Sequence, residues 1–219
     1  MSDHRQVKSK TRVAEHGEVF THEREVNAML DLIKHETERI ESRFLEPACG
    51  TGNFLAEVLC RKLAVVESRY RKIQLDYERY AVIAISSIYG IDLLEDNVEE
   101  CRNRLYDIFD EQYTRLFKSK CQDDCRQSVR YILKQNIIHG DALTFKRVNK
   151  PKEPIIFAEW SPVNSVMIKR RDYSFEMLHN SQFGSDAGLF SDMGEEVFIP
   201  DPVREYPATH FLRLHEHDE

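Results

Sequence analysis

Phe44-Leu45-Glu46-Pro47-Ala48-Cys49-Gly50-Thr51-Gly52-Asn53-Phe54-Leu55 is the stretch on which the fold turns. Arg43 to Glu46 reads as a short extended segment. It runs into a proline and two closely spaced glycines, after which Leu55, Val58, Leu59, Leu63 and Val66 recur at helical spacing. The local order is strand, glycine turn, helix. Gly50 and Gly52 allow tight curvature and close approach of a ligand to the backbone, and the free amide groups at the start of the next helix attract electron-rich groups.

Downstream the alternation continues. A helix around Asp76 to Ser86 leads into Ile88-Tyr89-Gly90-Ile91-Asp92, a strand that closes on a carboxylate. Leu94, Val98, Cys101, Leu105, Ile108 and Leu116 mark a long amphipathic helix. A shorter helix ending near Lys134 precedes a third strand, Asn136 to Asp141, and Ile155 to Ala158 is a fourth apolar strand. Strands alternating with helices at this spacing imply a parallel, doubly wound sheet. Upstream, Val26, Met29, Leu30 and Ile33 predict a helix over roughly Glu23 to Arg39, with Thr21 at the capping position. Past Trp160 the pattern weakens. Asp172 to Leu178 reads as a short element, Gln182 to Gly194 as loop, and Glu196 to Ile199 and Thr209 to Leu214 as edge strands near prolines.

Composition agrees with that class. The 219 residues are 41% apolar and 32% charged, enough for one domain with a buried core. Eight Gly and seven Pro are few for a sandwich of short strands. No run approaches the roughly 18 apolar residues of a membrane helix, and Met1 to Arg12 is polar and basic, so a cytoplasmic protein is expected. Five cysteines at irregular spacing fit a reducing compartment. Cys121 and Cys125 read as half-buried thiols, because a zinc site needs about four ligands. With 31 Lys and Arg against 38 Asp and Glu the net charge is -7, so any grip on DNA has to come from local patches such as Lys169-Arg170-Arg171 or the basic amino terminus, or from another chain.

The acids that close the strands matter because ligands of open α/β sheets bind at the carboxyl ends. Asp92 can accept both hydroxyls of a ribose, and Asp141 can accept from an exocyclic amine. Counting from Gly50, the sixth position is Leu55 rather than glycine, which fails the dinucleotide fingerprint. No Lys-Ser or Lys-Thr follows the glycines, which excludes a P-loop. A glycine turn that merely packs strand on helix, and acids that merely cap their own turns, remain open alternatives.

At Phe44 to Leu55 the chain resembles the first S-adenosylmethionine motif of adenine-N6 DNA methyltransferases from bacterial restriction-modification systems. Gly17 to Thr21, followed by Val26 and Met29, is similar to the segment that precedes that motif in those enzymes. Gly90 to Leu93 resembles their second motif and Asn136 to Ala142 their third. The resemblance implies a Rossmann-like class I methyltransferase fold, α/β with a doubly wound, mostly parallel sheet and an N-terminal helical arm. Residues 1–40 would be the arm and helix covering the cofactor, 41–160 the cofactor-binding domain, and 161–219 an irregular segment completing the sheet. It further implies S-adenosyl-L-methionine as cofactor, with Phe20, Thr21, Glu46, Ala48, Gly50 and Gly52 near its methionine end. Asp92 would hold the ribose, Leu93 would pack on the adenine ring and Asp141 would accept its amino group.

Two departures qualify the resemblance. His22 stands where a proline usually follows the threonine. After the fourth strand, the family's Asn, Asp or Ser, then Pro-Pro and an aromatic residue, is matched here only by Ser161-Pro162, with Val163 and Asn164 following. Those two are the candidate catalytic positions, and Trp160 beside them reads more readily as core. Only 78 residues follow Asp141, which leaves little room for sequence readout. The expectation is methyl transfer to adenine N6 of DNA, with a second protein subunit completing the base pocket and recognising the DNA, and with no metal and no membrane. A non-catalytic cofactor-binding subunit and an RNA or small-molecule methyltransferase are the alternatives.

Overall fold

The computed structural model describes residues 21–183 and 201–217, together with Arg12. The expected strand at Glu196 to Ile199 and most of the expected loop at Gln182 to Gly194 lie outside the described residues, as does Phe20.

The arm forms helix α1 (Glu23–Leu32), capped by His22, whose Nδ1 accepts the Arg24 amide at 3.3 Å. The cap is therefore one residue beyond the threonine that the sequence pointed to. Only Val26 and Leu30 of the expected face are buried, and the helix breaks at Ile33 before a single further turn, α2 (Lys34–Thr37). Strand β1 (Phe44–Glu46), helix α3 (Asn53–Tyr70), helix α4 (Gln74–Ser86) and strand β2 (Ile88–Asp92) follow. Next come α5 (Glu95–Phe117), α6 (Asp123–Asn136) and β3 (Ile137–Asp141). β1, β2 and β3 are adjacent and parallel, with Glu46 opposite Gly90 and Asp92 opposite His139. The short β4 (Lys146–Arg147) returns antiparallel along β3.

Each crossover steps in the same direction across this sheet, so the four long helices collect on one face. Their apolar residues pack with Phe44, Ile88 and Ile137 in one large core. Each fully buried Leu or Ile there contributes roughly 1.5 to 3 kcal/mol. Lys62 of α3 is buried inside it. Its ammonium donates to the carbonyls of Ile40 (2.9 Å) and Ser42 and to Ser87 Oγ (2.6 Å), which ties the chain entering β1 to the residue before β2.

The second half of the expected sheet is absent from this arrangement among the described residues. The fourth strand, β5 (Ile156–Pro162), does not join the parallel sheet and pairs antiparallel with β6 (Met167–Ser174). β7 (Arg204–Glu205) and β8 (Thr209–His210) extend that second sheet, and α7 (Phe175–Phe183) follows β6. The doubly wound order and a tail that completes one sheet are thus corrected to two separate sheets. Contacts fix the direction of β5. The Ile155 amide donates to the Phe145 carbonyl just beyond β3, Tyr89 Oη donates to the Ala158 carbonyl, and Trp160 Nε1 donates to Asn136 Oδ1 just before β3. β5 therefore runs back across the sheet toward the amino ends of its strands. Ile155, Phe157 and Phe175 cover Tyr89, Ile91 and Ile138, the side-chain face opposite the helices. Burying this apolar face is the physical reason that β5 crosses the sheet.

Candidate functional site

The glycine turn is folded back over the end of β2. The Cys49 amide donates to the Ile91 carbonyl (2.9 Å), the Gly50 amide to Asp92 Oδ2 (2.9 Å) and the Gly52 amide to the Cys49 carbonyl (2.8 Å). Gly50 and Gly52 both take positive φ, 52° and 82°, which a side chain would resist. Gly52 has a further constraint: a Cβ there would lie 2.6 Å from Cys101 Sγ on α5. Its lack of a side chain serves helix packing, and it does not line the cavity described below.

Asp92 is held from both sides. Besides Gly50, its Oδ1 accepts the Leu94 amide (2.9 Å) and Asn97 Nδ2 (3.2 Å). Asn97 in turn accepts from Arg12 at 3.2 Å, and Arg12 pairs with Asp96. An ionised carboxylate has about four lone-pair sites, so Asp92 retains capacity for a ligand hydroxyl. Asp141 caps its own turn, its oxygens accepting the Leu143 amide and the Thr144 hydroxyl, both at 2.9 Å. The Leu143 amide, with Thr144, holds its carboxyl below the usual range. Glu46 is pushed the other way by burial, which penalises its charged form. The Cys49 thiol is held protonated by the neighbouring Cys101 and by burial.

These groups surround a cavity of about 610 Å³ at the carboxyl ends of β1, β2 and β3. Thr21, Glu46, Ala48, Gly50, Asp92, Leu93 and Asp141, all picked out in the sequence, line it. Asn53 Nδ2 donates to the Thr21 carbonyl (3.3 Å), which fixes the arm to the first turn of α3 and puts Thr21 on the rim. The volume is of the size that holds a nucleoside with an extended substituent. The lining mixes apolar walls with three acids from three successive strand ends, a set suited to hydroxyls, amines and a cationic centre.

A family model described as the MmeI DNA-methyltransferase domain matches residues 20–153, more than half of the chain. The chain belongs to this family. It is a DNA methyltransferase of restriction-modification type. No curated protein and no solved structure gives a match.

The methyltransferase match ends before β5, and the structure separates Ser161 and Pro162 from the cavity. Ser161 Oγ donates to Glu159, within a polar cluster that includes Arg43 and Arg171. Neither it nor Pro162 lines the cavity, because β5 carries them toward the amino ends of the parallel strands. Trp160 is only 6% exposed and packs edge-on against Tyr131 as core. The run Lys169-Arg170-Arg171 also differs from the open patch that the sequence suggested. Lys169 and Arg171 pair with Glu205, Arg171 with Glu159, and Arg170 with Asp172, its guanidinium lying over Tyr206.

Several site residues of the methyltransferase were not singled out from sequence. Asn97, Cys49 and Leu143 are among them. Asn97 carried a faint signal, a polar residue next to Val98 on the buried side of an amphipathic helix. His139 gave none, yet its Nε2 lies 3.0 Å from the Leu93 carbonyl beside the cavity.

Proposed function

We propose that this methyltransferase binds S-adenosyl-L-methionine in the 610 Å³ cavity and directs its methyl group to adenine N6 of DNA, with a second protein subunit supplying the base pocket and the recognition of DNA sequence. The observation that carries the reading is the convergence of Glu46, Asp92 and Asp141, from three strand ends, on one cavity beside a glycine turn. The residues present suit the cofactor: Asp92, which already accepts three hydrogen bonds, keeps about one lone-pair site for a ribose hydroxyl, Leu93 offers an apolar wall for a ring, and Glu46 presents a carboxyl group toward positive charge. When bound, the cofactor supplies a methyl group on a sulfonium, an electrophile that needs no further activation.

The chain's own work is then positioning and electrostatics. The Gly50 and Leu94 amides orient the Asp92 carboxylate before any ligand arrives. Ala48, Phe54 and Met29 supply the apolar part of the lining. Adenine needs acceptors for its amino protons and a ring on which to stack once it has left the duplex. The segment 159–164 presents neither to the cavity, which supports a base pocket built by other groups. The same placement favours a second reading, a cofactor-binding subunit that does not itself transfer the methyl group.

Titration calorimetry tests the first step. S-adenosyl-L-methionine or its demethylated product is expected to bind, and Asp92→Ala to lose hydrogen bonds worth about 1.5 to 3 kcal/mol, on the order of tenfold to a hundredfold in affinity. Urea unfolding of the same variant controls for the turn that Asp92 also holds. Absence of heat, or an affinity that Asp92→Ala leaves unchanged, overturns the assignment. Transfer of labelled methyl groups to duplex DNA by the chain alone should stay near background. Robust adenine methylation that Ser161→Ala abolishes would refute a base pocket built elsewhere.

A further inference from the structure

A chain of net charge -7 whose cavity is ringed by Glu46, Asp92 and Asp141 repels a polyanion at the place where DNA has to arrive. The run Lys169-Arg170-Arg171 does not answer this, since all three side chains are paired within the fold. One described segment beside the cavity has the opposite character. Between Leu143 and Glu153, Lys146, Arg147, Lys150 and Lys152 face a single acid, Glu153, a surplus of three positive charges. That acid pairs with Lys150 at 3.1 Å on the surface.

The geometry ties this segment to the rim. Phe145 adopts φ 58°, a left-handed conformation that a bulky residue rarely takes and that is held where the surrounding structure demands it. That turn sends β4 back along β3, so that Lys146 stands directly opposite Asp141 and Arg147 opposite Gly140. In such a pair, facing side chains project from the same side of the sheet. The hairpin is closed by the Arg147 amide on the Glu153 carbonyl (3.1 Å) and the Glu153 amide on the Lys150 carbonyl (2.8 Å), and its base by the Ile155 amide on the Phe145 carbonyl. It is thus a braced projection. Leu143, which lines the cavity, is 90% exposed at its foot, and Val148 is 40% exposed at its tip. Arg147 Nε is buried without a hydrogen-bond partner, an unmet donor on the same strand.

We propose that the hairpin 143–153 grips the phosphate backbone of DNA and so holds the duplex over the cavity, an inference that rests on the methyltransferase reading of that cavity. Lys146 and Arg147 at its base and Lys150 and Lys152 at its tip neutralise phosphates, which offsets the repulsion from the acidic mouth. Phosphate contacts set position rather than sequence, so this surface orients DNA and leaves base readout to other groups.

The test is fluorescence anisotropy of a labelled duplex against the full chain at about 50 mM and higher salt, the range over which phosphate contacts declare themselves. The variant is Lys150→Glu with Lys152→Glu, at two exposed tip positions away from the cavity lining. Its control, Lys34→Glu with Lys72→Glu, makes the same change of net charge at exposed positions elsewhere. The tip variant is expected to bind at least about tenfold more weakly, with the slope of log affinity against log salt shallower by roughly 0.9 for each phosphate no longer neutralised, while the control stays within about twofold. Calorimetry with S-adenosyl-L-methionine on the same samples reports the cavity independently. Equal weakening in tip variant and control, or no DNA binding by the unmodified chain at low salt, overturns the hairpin while leaving a normal cofactor titration intact. Weakening confined to the tip variant, with no cofactor heat in any sample, keeps the hairpin and removes the cofactor reading instead.

Discussion

Gly52→Ala should destabilise the domain by about 2 to 5 kcal/mol, and about 1 to 3 kcal/mol of that loss should disappear when Cys101 is also shortened. Two costs add. An L-residue at φ 82° carries roughly 1 to 2 kcal/mol of backbone strain. The new Cβ also lies 2.6 Å from Cys101 Sγ, an overlap whose relief by shifting α3 against α5 costs typically about 1 to 3 kcal/mol. Cys101→Ala removes the sulfur and leaves the Cys101 Cβ at 3.4 Å, a contact that small adjustments can absorb. The double variant should therefore retain only the strain, about 1 to 2 kcal/mol, beyond whatever Cys101→Ala costs alone. Urea unfolding followed by circular dichroism, run on all four members of the cycle, gives the coupling directly. A Gly52→Ala loss below about 0.5 kcal/mol would refute both the positive φ and the closeness of the two helices, and additive single losses would refute the closeness alone.

Other outcomes follow from single groups. Lys62 is buried, and desolvation pushes its pKa down to about 7, below the value of the unfolded chain. The unfolded chain then binds more protons than the folded one above pH 7, so this group makes stability rise with pH from about 7 toward 10.5 and fall again as pH drops. Lys62→Met should flatten that component between pH 7.5 and 9 in urea titrations, and an unchanged pH profile would contradict it. Trp160→Phe should cost about 1 to 3 kcal/mol, because Asn136 Oδ1 loses its buried donor, and should leave cofactor affinity unchanged. A fall in affinity without loss of stability would instead place the indole at the cavity.

The first half of the molecule was legible because its signals are local. A glycine turn between an extended segment and an apolar helical repeat, and carboxylates directly after two later strands, depend on residues within a few positions of each other. They located β1, β2 and β3, with Ile88–Asp92 recovered to the residue, and picked out Glu46, Ala48, Gly50, Asp92, Leu93 and Asp141 among the residues that line the cavity. Capping was less legible, since the side chains of Thr21 and His22 can both accept and only the geometry chose His22.

Long-range contacts decided the rest. The sequence pattern made Ile155 to Ala158 a fourth strand of a parallel sheet, and its actual, reversed direction was not legible there. That direction followed from the apolar face of Tyr89, Ile91 and Ile138, which had to be covered and which Ile155 and Phe157 cover. This placement carried Trp160 into the core and Ser161 away from the cavity. Charge read along the chain likewise could not tell a paired cation from a free one. Arg170 meets Asp172 on its own strand, but the acids that pair Lys169 and Arg171, Glu159 and Glu205, fall near them only once β5, β6 and β7 are laid side by side. Gly52 shows the division at one position. Its place in a turn is written in its neighbours, whereas the Cys101 sulfur that forbids a side chain there comes from another helix.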